Sequence, residues 1–121
     1  GNPMCTPEIE AGLSNDGSYP SGHTSVGWAW ALILSEIAPE RQNQILSRGL
    51  AYGQSRSVCN LHWNSDVEAG FVMVSATVAR LHSNPVFRAD LRAAAGEVET
   101  LRKNNNQGNT NCSLELEALR R

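Results

Sequence analysis

Lysine is nearly absent from this sequence, and long apolar runs and cysteines are scarce as well. Lys103 is the sole lysine among 121 residues, and 10 basic residues against 12 acidic ones give a net charge of −2. A chain of this charge has no sequence-wide positive field, so nucleic acid and anionic membranes are not predicted as partners. No apolar run approaches the roughly 20 residues of a membrane-spanning helix. Any anion that this protein binds must therefore be held by a local site.

The three cysteines, Cys5, Cys59 and Cys112, are too few to define a disulfide scaffold. Three cysteines are compatible with one disulfide and one remaining thiol, or with free buried thiols only. Cysteine content by itself therefore does not indicate the redox compartment.

Apolar residues recur at spacings of three and four along most of the chain, which is typical of α-helices. Helices are predicted at about 6–13, 21–37, 39–56, 66–81, 84–101 and 113–121, with Asp66 and Asn84 as N-caps of two of them. Residues 14–22 and 57–65 are predicted as a loop and a bend, and 102–112 as a polar, flexible segment. Without convincing strand alternation, the predicted fold class is all-α, a helical bundle in which residues 1–121 form part of one domain.

The segment Gly17-Ser18-Tyr19-Pro20-Ser21-Gly22-His23-Thr24 joins a turn directly to a helix. Backbone N–H groups and the positive end of the helix dipole meet at such a junction, which favours a bound anion. Gly22 allows the backbone to approach a ligand closely, and His23 lies in the first turn beside it.

The second notable segment contains Arg56, then His62 after five residues and Asp66 after three more. Arginine can hold a phosphate through two parallel hydrogen bonds. Asp66 lies four residues after His62, where a carboxylate can fix the tautomer of the ring and leave the other nitrogen free to attack.

Each of these features also has a purely structural explanation. His23 is compatible with an ordinary residue at a helix start, and His62 with a partly buried ring that Asp66 satisfies. Arg56 is near a helix C-terminus, where positive charge is favoured anyway. Only their combination indicates a phosphate site. His82, Trp28 and Trp30 lie outside both segments and are predicted to be structural, the two tryptophans as core residues.

The strings GSYPSGHT and SRSVCNLHWNSD resemble the second and third signature motifs of the type 2 phosphatidic-acid-phosphatase-like superfamily. Those motifs read PSGH and, further on, SR, five residues, H, three residues, D. The surrounding sequence, from about residue 2 to 97, resembles the class A bacterial nonspecific acid phosphatases in particular. The resemblance implies the all-α bundle shared with vanadium haloperoxidases, and metal-independent hydrolysis of organic phosphomonoesters without a cofactor.

The resemblance also implies a role for each matching position. His62 would be the nucleophile that takes the phosphoryl group, and Asp66 would orient its ring. His23 would protonate the leaving oxygen, while Ser21, the backbone N–H of Gly22 and Arg56 would bind the phosphate oxygens. This division suits phosphoryl transfer, which needs an in-line nucleophile, charge neutralisation and a proton for the departing group.

The first motif of the superfamily, a lysine followed after six residues by Arg-Pro, has no counterpart here. The sole lysine, Lys103, lies far downstream, and no Arg-Pro pair occurs. We therefore expect a C-terminal portion of a larger protein, whose N-terminal segment supplies the missing lysine and arginine as a partner. Without that segment, the apolar faces of 26–37 and 67–81 should be exposed.

The resemblance further implies a periplasmic or secreted protein, in which Cys5 and Cys59 could form a disulfide that braces the loop before His62. It leaves a homo-oligomer open. Three other functions compete with the phosphatase. A haloperoxidase would hold vanadate in a similar pocket, and a zinc hydrolase would use His23, His62, Asp66 and Cys59 as ligands, although Arg56 would repel the metal. The third alternative is an inactive helical fragment that serves in assembly.

Overall fold

The computed structural model describes residues 3–9, 12, 17–104 and 113–118. Its five α-helices are α1 (Gly22–Ile37), α2 (Gln42–Val58), α3 (Asn64–Leu81), α4 (Pro85–Lys103) and α5 (Ser113–Ala118). Short 3-10 turns occupy Pro7–Ile9 and Pro39–Arg41. Within these ranges there is no strand, which confirms the predicted all-α class, and no helix there is long and apolar enough to cross a membrane.

Helix α1 is the centre of the bundle, because α2, α3 and α4 all pack against it. Glycines allow the closest of these contacts. A Cβ on Gly49 of α2 would lie 2.4 Å from Cβ of Ala31, and one on Gly70 of α3 would lie 3.1 Å from the carbonyl oxygen of Ser21. Apolar carbons in contact prefer separations of about 3.5–4.0 Å. Glycine at these positions therefore allows α2 and α3 to lie close to α1 and to its N-cap, Ser21.

The core is small and lies on only one side of α1. Trp28, predicted as core, is partly buried, and its indole N–H donates to the Ser75 hydroxyl at 3.0 Å. The same prediction for Trp30 was wrong, since 67% of its surface is exposed. Trp30 lines an open groove between α1 and α2 instead of packing into the core. The expected exposure is found on the face at 26–37, whereas the expectation for the face at 67–81 was wrong, because Val67, Val74 and Val78 are buried.

Two helix boundaries differ from the sequence prediction. Helix α3 begins at Asn64, so Asp66 lies in its first turn and Trp63 holds the N-cap position that we predicted for Asp66. The bend after α2 ends earlier than expected because the Asp66 carboxylate folds back to accept the N–H of Trp63 at 3.0 Å. Helix α4 includes Arg102 and Lys103, which we had assigned to the flexible segment, and 105–112 lie outside the described residues.

The N-cap prediction for Asn84 is confirmed, because its side-chain oxygen accepts the N–H of Val86 at 2.9 Å. The first half of the predicted helix at 6–13 is a 3-10 turn, and most of the rest lies outside the described residues.

Two long-range contacts connect segments of this bundle that are distant in the sequence. A disulfide joins Cys5 to Cys59, with Cα atoms 4.9 Å apart, as the resemblance led us to expect, whereas Cys112 lies outside the described residues. At the opposite end, Nε2 of His82 lies 2.9 Å from a carboxylate oxygen of Glu36, and its Nδ1 lies 2.8 Å from the carbonyl of Val78. His82 is thus structural, as predicted, and connects α3 to α1.

Candidate active site

Ser21 fixes the turn before α1 through hydrogen bonds to α1 and to α3. Its hydroxyl oxygen accepts the backbone N–H of Thr24 at 3.2 Å and the Thr24 hydroxyl at 3.0 Å. Its own N–H donates to the carbonyl of Asp66 at 3.0 Å, which ties the turn to α3. Ser21 and Thr24 have no exposed surface. The Ser21 hydroxyl is therefore a buried helix cap, and its predicted contact with phosphate stays a prediction.

Gly22 and His23 form the exposed first turn of α1. No side-chain or neighbouring-helix atom lies within 4 Å of the position that a Cβ on Gly22 would occupy, so its backbone is open to a ligand. The His23 ring faces the His62 ring edge-on, with centroids 5.9 Å apart and planes inclined at 64°. The chain thus brings together two histidines that are 39 positions apart in the sequence, beside a helix N-terminus that favours anions.

The bend after α2 places Arg56 next to His62. The carbonyl of Arg56 accepts the backbone N–H groups of Leu61 at 3.0 Å and of His62 at 3.2 Å. The chain reverses here through Asn60, whose φ of 54° lies in the left-handed region that asparagine tolerates better than most residues. The disulfide at Cys59 anchors the same bend.

The Arg56 guanidinium is held by its own helix. Its Nε and Nη2 donate to the Ser55 hydroxyl at 3.1 and 2.8 Å, and its central carbon lies 5.0 Å from the centroid of the Tyr52 ring. Such a cation–π contact adds to the orientation of the arginine. The sequence pattern indicated an inward-facing position for Tyr52 but no contact with Arg56, although a spacing of four residues places both on one helical face.

Asp66 is buried, with 3% of its surface exposed, yet its environment favours the carboxylate form. Burial works to raise the pKa of Asp66, but hydrogen bonds from the Trp63 N–H, Ser18 and Ser65, together with nearby His62, lower it below its usual value. The anion is therefore stable inside the site. Nothing in the sequence spacing pointed to Ser18 as a partner of Asp66.

The His62 ring lies beside this carboxylate without a hydrogen bond to it. Its Nδ1 is 3.7 Å from Oδ2 of Asp66, and this nitrogen is buried and without a hydrogen-bond partner in the described structure. Ordinary N–H···O distances are about 2.7–3.2 Å. Asp66 is placed to attract a charged His62 ring.

The pKa of His23 is lowered by partial burial, by the positive charge of Arg56 and by His62. An imidazolium ion at this position is disfavoured because it would be partly desolvated and would lie near another cation. A bound dianion would offset the part of this effect that is due to positive charge.

The residues described here form no cluster of three or more histidine, cysteine, aspartate or glutamate side chains that could hold a metal ion. Cys59, one of the ligands considered for zinc, is engaged in the disulfide and has no thiolate to offer. The donor set that zinc hydrolysis would require is therefore not assembled among these residues.

Comparison with known protein families shows a match to this chain. Residues 3–88 match the family described as the PAP2 superfamily. The chain belongs to the PAP2 superfamily. Both segments that form the candidate site, 17–24 and 55–66, lie within the matched range.

Three curated proteins illustrate how similar this chain is to known relatives. It is 52% identical over 99 residues to a non-specific acid phosphatase of Providencia stuartii. It is 49% identical over 100 residues to an acid phosphatase of Zymomonas mobilis, and 46% over 101 residues to a non-specific acid phosphatase of Salmonella typhimurium. These alignments include 82%, 83% and 84% of this chain but only 40%, 38% and 40% of the relatives. The chain thus spans about two fifths of the length of the relatives that it matches.

Proposed function

We propose that this chain carries the catalytic residues of an acid phosphatase that hydrolyses organic phosphomonoesters through a phosphohistidine at His62. The observation that carries the proposal is the edge-on pair of His23 and His62, whose centroids lie 5.9 Å apart at an anion-favouring helix N-terminus. Two imidazoles at this separation can act on opposite sides of one phosphorus atom. One attacks phosphorus, and the other reaches the ester oxygen that leaves.

In the first step, the free ring nitrogen of His62 forms a bond to phosphorus while the bond from phosphorus to the ester oxygen breaks. The electron pair of that bond remains on the oxygen, which takes a proton from His23 and leaves as the alcohol. The ring of His62 becomes positively charged, and the Asp66 carboxylate, 3.7 Å from Nδ1, stabilises this charge. Water then attacks phosphorus while the bond from phosphorus to the His62 nitrogen breaks and its electron pair returns to the ring. Neutral His23 accepts the proton of the water, so that inorganic phosphate and free His62 are released.

The lowered pKa of His23 is compatible with this role because the substrate itself changes the local charge. In the free site, burial and Arg56 disfavour the imidazolium form. A phosphomonoester dianion held by Arg56 and the Gly22 N–H would offset the positive charge and raise the pKa of His23. His23 would then be protonated when the leaving oxygen needs the proton, and activity should be higher at acidic pH.

We further propose that an N-terminal segment completes the site with the lysine and arginine of the missing motif. The support is chemical, since Arg56 is the only arginine or lysine in the two segments that form the site. The transferring phosphoryl group spreads negative charge over three equatorial oxygens, which usually requires several positive groups. The relatives carry additional chain that could provide them.

A periplasmic or secreted location is part of this proposal. Its support is the Cys5–Cys59 disulfide, because such bonds persist in oxidising compartments and are rare in the cytosol of mesophiles.

The test uses this chain mixed with the part of the Providencia stuartii relative that precedes the region matched here. Rapid acid quench with a labelled phosphomonoester should trap phosphate on His62, and turnover should persist in strong chelator. The variant His62→Ala should lose both trapped label and phosphate release. His82→Gln is the matched control, since His82 contacts Glu36 and Val78, away from the site. Unchanged phosphate release by His62→Ala would contradict the proposal.

A further inference from the structure

Two serines near the end of α2 make the same kind of bond to their own helix. The Ser55 hydroxyl donates to the carbonyl of Tyr52 at 2.6 Å, and the Ser57 hydroxyl donates to the carbonyl of Gln54 at 3.0 Å. In both cases the partner lies three residues earlier, and the bond fixes the direction of the hydroxyl proton. The two serines therefore use their protons alike, and they differ in what their oxygens accept.

The hydroxyl oxygen of Ser55 accepts two N–H groups of Arg56. Nε donates to it at 3.1 Å and Nη2 at 2.8 Å. A hydroxyl has one proton and two lone pairs. Because the proton of Ser55 is committed to the Tyr52 carbonyl, both lone pairs remain for the arginine. Ser55 is thus fully satisfied, and it holds the edge of the guanidinium that Nε and Nη2 form.

The opposite edge of this guanidinium is open to a ligand. A guanidinium carries five N–H groups in one plane, and two of them are bonded to Ser55. The other three, two on Nη1 and one on Nη2, donate to no group in the part of the chain that the structure describes. Nη1 and Nη2 together offer two parallel N–H bonds, which is the arrangement that binds two oxygens of a phosphate. The contact with Ser55 therefore selects which edge of Arg56 is presented to an anion.

The ring of Tyr52 holds the same guanidinium on one face. The central carbon of Arg56 lies 5.0 Å from the centroid of this ring. A Cβ on Gly27 of α1 would lie 2.4 Å from Cδ1 of Tyr52, so glycine at position 27 allows the ring to pack directly on α1. A planar group that Ser55 holds at one edge and Tyr52 on one face has little freedom to rotate.

We propose that Ser55 is a positioning residue of the phosphate site, which holds the Nε edge of Arg56 and thereby directs the pair of Nη1 and Nη2 to the phosphate oxygens. The inference rests on the proposed function, since it concerns the same anion site. Ser55 acts through the arginine and does not itself contact phosphate. Orienting a flexible side chain before the ligand arrives strengthens binding, because the entropy of ordering it is then lost on folding and not on binding.

The experiment measures the affinity for inorganic phosphate by isothermal titration calorimetry. The protein is this chain mixed with the part of the Providencia stuartii relative that precedes the matched region. Ser55→Ala should weaken the affinity by about three- to tenfold, because Arg56 is then ordered only on binding. Ser57→Ala is the matched control, since it removes the same kind of bond from the same helix without a contact to the arginine. The control affinity should stay within about twofold of the wild type.

Two further variants distinguish the orientation of Arg56 from a general effect on α2. Ser55→Thr keeps a hydroxyl that can bond the carbonyl of the preceding turn, and it should restore the affinity to within about twofold of the wild type. Arg56→Lys keeps the charge but has no fork for Ser55 to orient. In that background, Ser55→Ala should change the affinity by less than about twofold, since residues that act through one another are not additive.

A loss of affinity that persists in the Arg56→Lys background, or that threonine does not restore, would assign the effect of Ser55→Ala to packing and overturn the inference. Circular dichroism compares the helix content of the variants. Both alanine variants should retain their helices, because alanine has the highest helix propensity.

The outcomes also separate this inference from the proposed function. If phosphate affinity depends on Ser55 as described but the wild-type mixture releases no phosphate from a monoester, the positioning role stands and the phosphatase proposal fails. If phosphate is released while Ser55→Ala binds phosphate as tightly as the wild type, the positioning role is overturned and the phosphatase proposal stands. A wild-type mixture that binds no inorganic phosphate also overturns the positioning role, whatever its turnover.

Discussion

Replacing Gly49 with alanine tests how closely α1 and α2 must approach to form the site. A Cβ at this position would lie 2.4 Å from Cβ of Ala31 and 3.1 Å from a ring carbon of Trp28. Carbon atoms in contact prefer about 3.5–4.0 Å. Because Cβ of Ala31 is fixed to the backbone of a buried helix turn, the overlap is relieved only if the two helices separate by about 1 Å.

Gly96→Ala is the matched control for this change. Gly96 lies within α4, and no atom beyond its own helix backbone and neighbours lies within 4 Å of its would-be Cβ. Both substitutions gain about 1 kcal/mol of helix propensity, whereas overpacking of a core costs about 1–3 kcal/mol. The propensity gain cancels in the comparison. We therefore expect Gly49→Ala to be about 1–3 kcal/mol less stable than Gly96→Ala.

The free energy of unfolding is measured by urea denaturation, followed by helical circular dichroism. Separation of α1 from α2 also moves His23 away from Arg56, and a misplacement of about 1 Å can reduce turnover by about a hundredfold. Phosphate release by the completed enzyme should therefore fall in Gly49→Ala and not in Gly96→Ala. Equal stability of the two variants would refute the close approach of the helices described here.

Three further predictions follow from other contacts. Hydrogen bonds that the His82 ring donates to the Glu36 carboxylate and to the Val78 carbonyl raise the pKa of His82. The link between α3 and α1 is therefore strongest below about pH 6.5 and is lost as pH rises through the raised pKa. The melting temperature of the wild type should consequently decrease as the pH is raised from 5.5 to 8, and that of His82→Gln should decrease by less. An equal decrease in both proteins would contradict this role of His82. Cys59→Ser opens a loop with a sequence separation of 54 and should lower the free energy of unfolding by about 2–4 kcal/mol; reductant should reproduce the loss in the wild type and have no further effect on the variant. His23→Ala should reduce turnover of alkyl phosphates by about 10²–10⁴-fold and that of p-nitrophenyl phosphate by much less, because that leaving group needs no proton; equal losses for both substrates would exclude His23 as the general acid.

The sequence was sufficient for the fold class and for the location of the two motifs. Helical spacing of apolar residues is a local property, and so is the cap-and-proline signal at Asn84, which the structure confirms. The boundary at Asp66 was predicted wrongly for a physical reason. An aspartate can cap a helix from the N-cap or fold back from the first turn, and the sequence fits both. Only the path of the bend after α2 decided between them.

The arrangement of the site depended on the tertiary structure. Spacing alone predicted that His62 and Asp66 are neighbours, but it could not give the 3.7 Å separation or the burial of Nδ1. Those depend on how the bend folds back onto the Arg56 carbonyl. The contribution of Ser18 to Asp66 likewise arises only when the turn before α1 is tied to α3.

The exposure of Trp30 shows most clearly what the sequence determines and what depends on the tertiary structure. Its residue type and helical spacing indicated a core position. Burial, however, depends on a second surface that covers the side chain, and the described helices leave 67% of the Trp30 surface exposed. The amino-acid sequence by itself determined which side chains need a partner, because hydrophobicity and helical phase are properties of each segment. Only the tertiary structure decided which of them have one, because contacts between distant segments are set by how the whole chain packs.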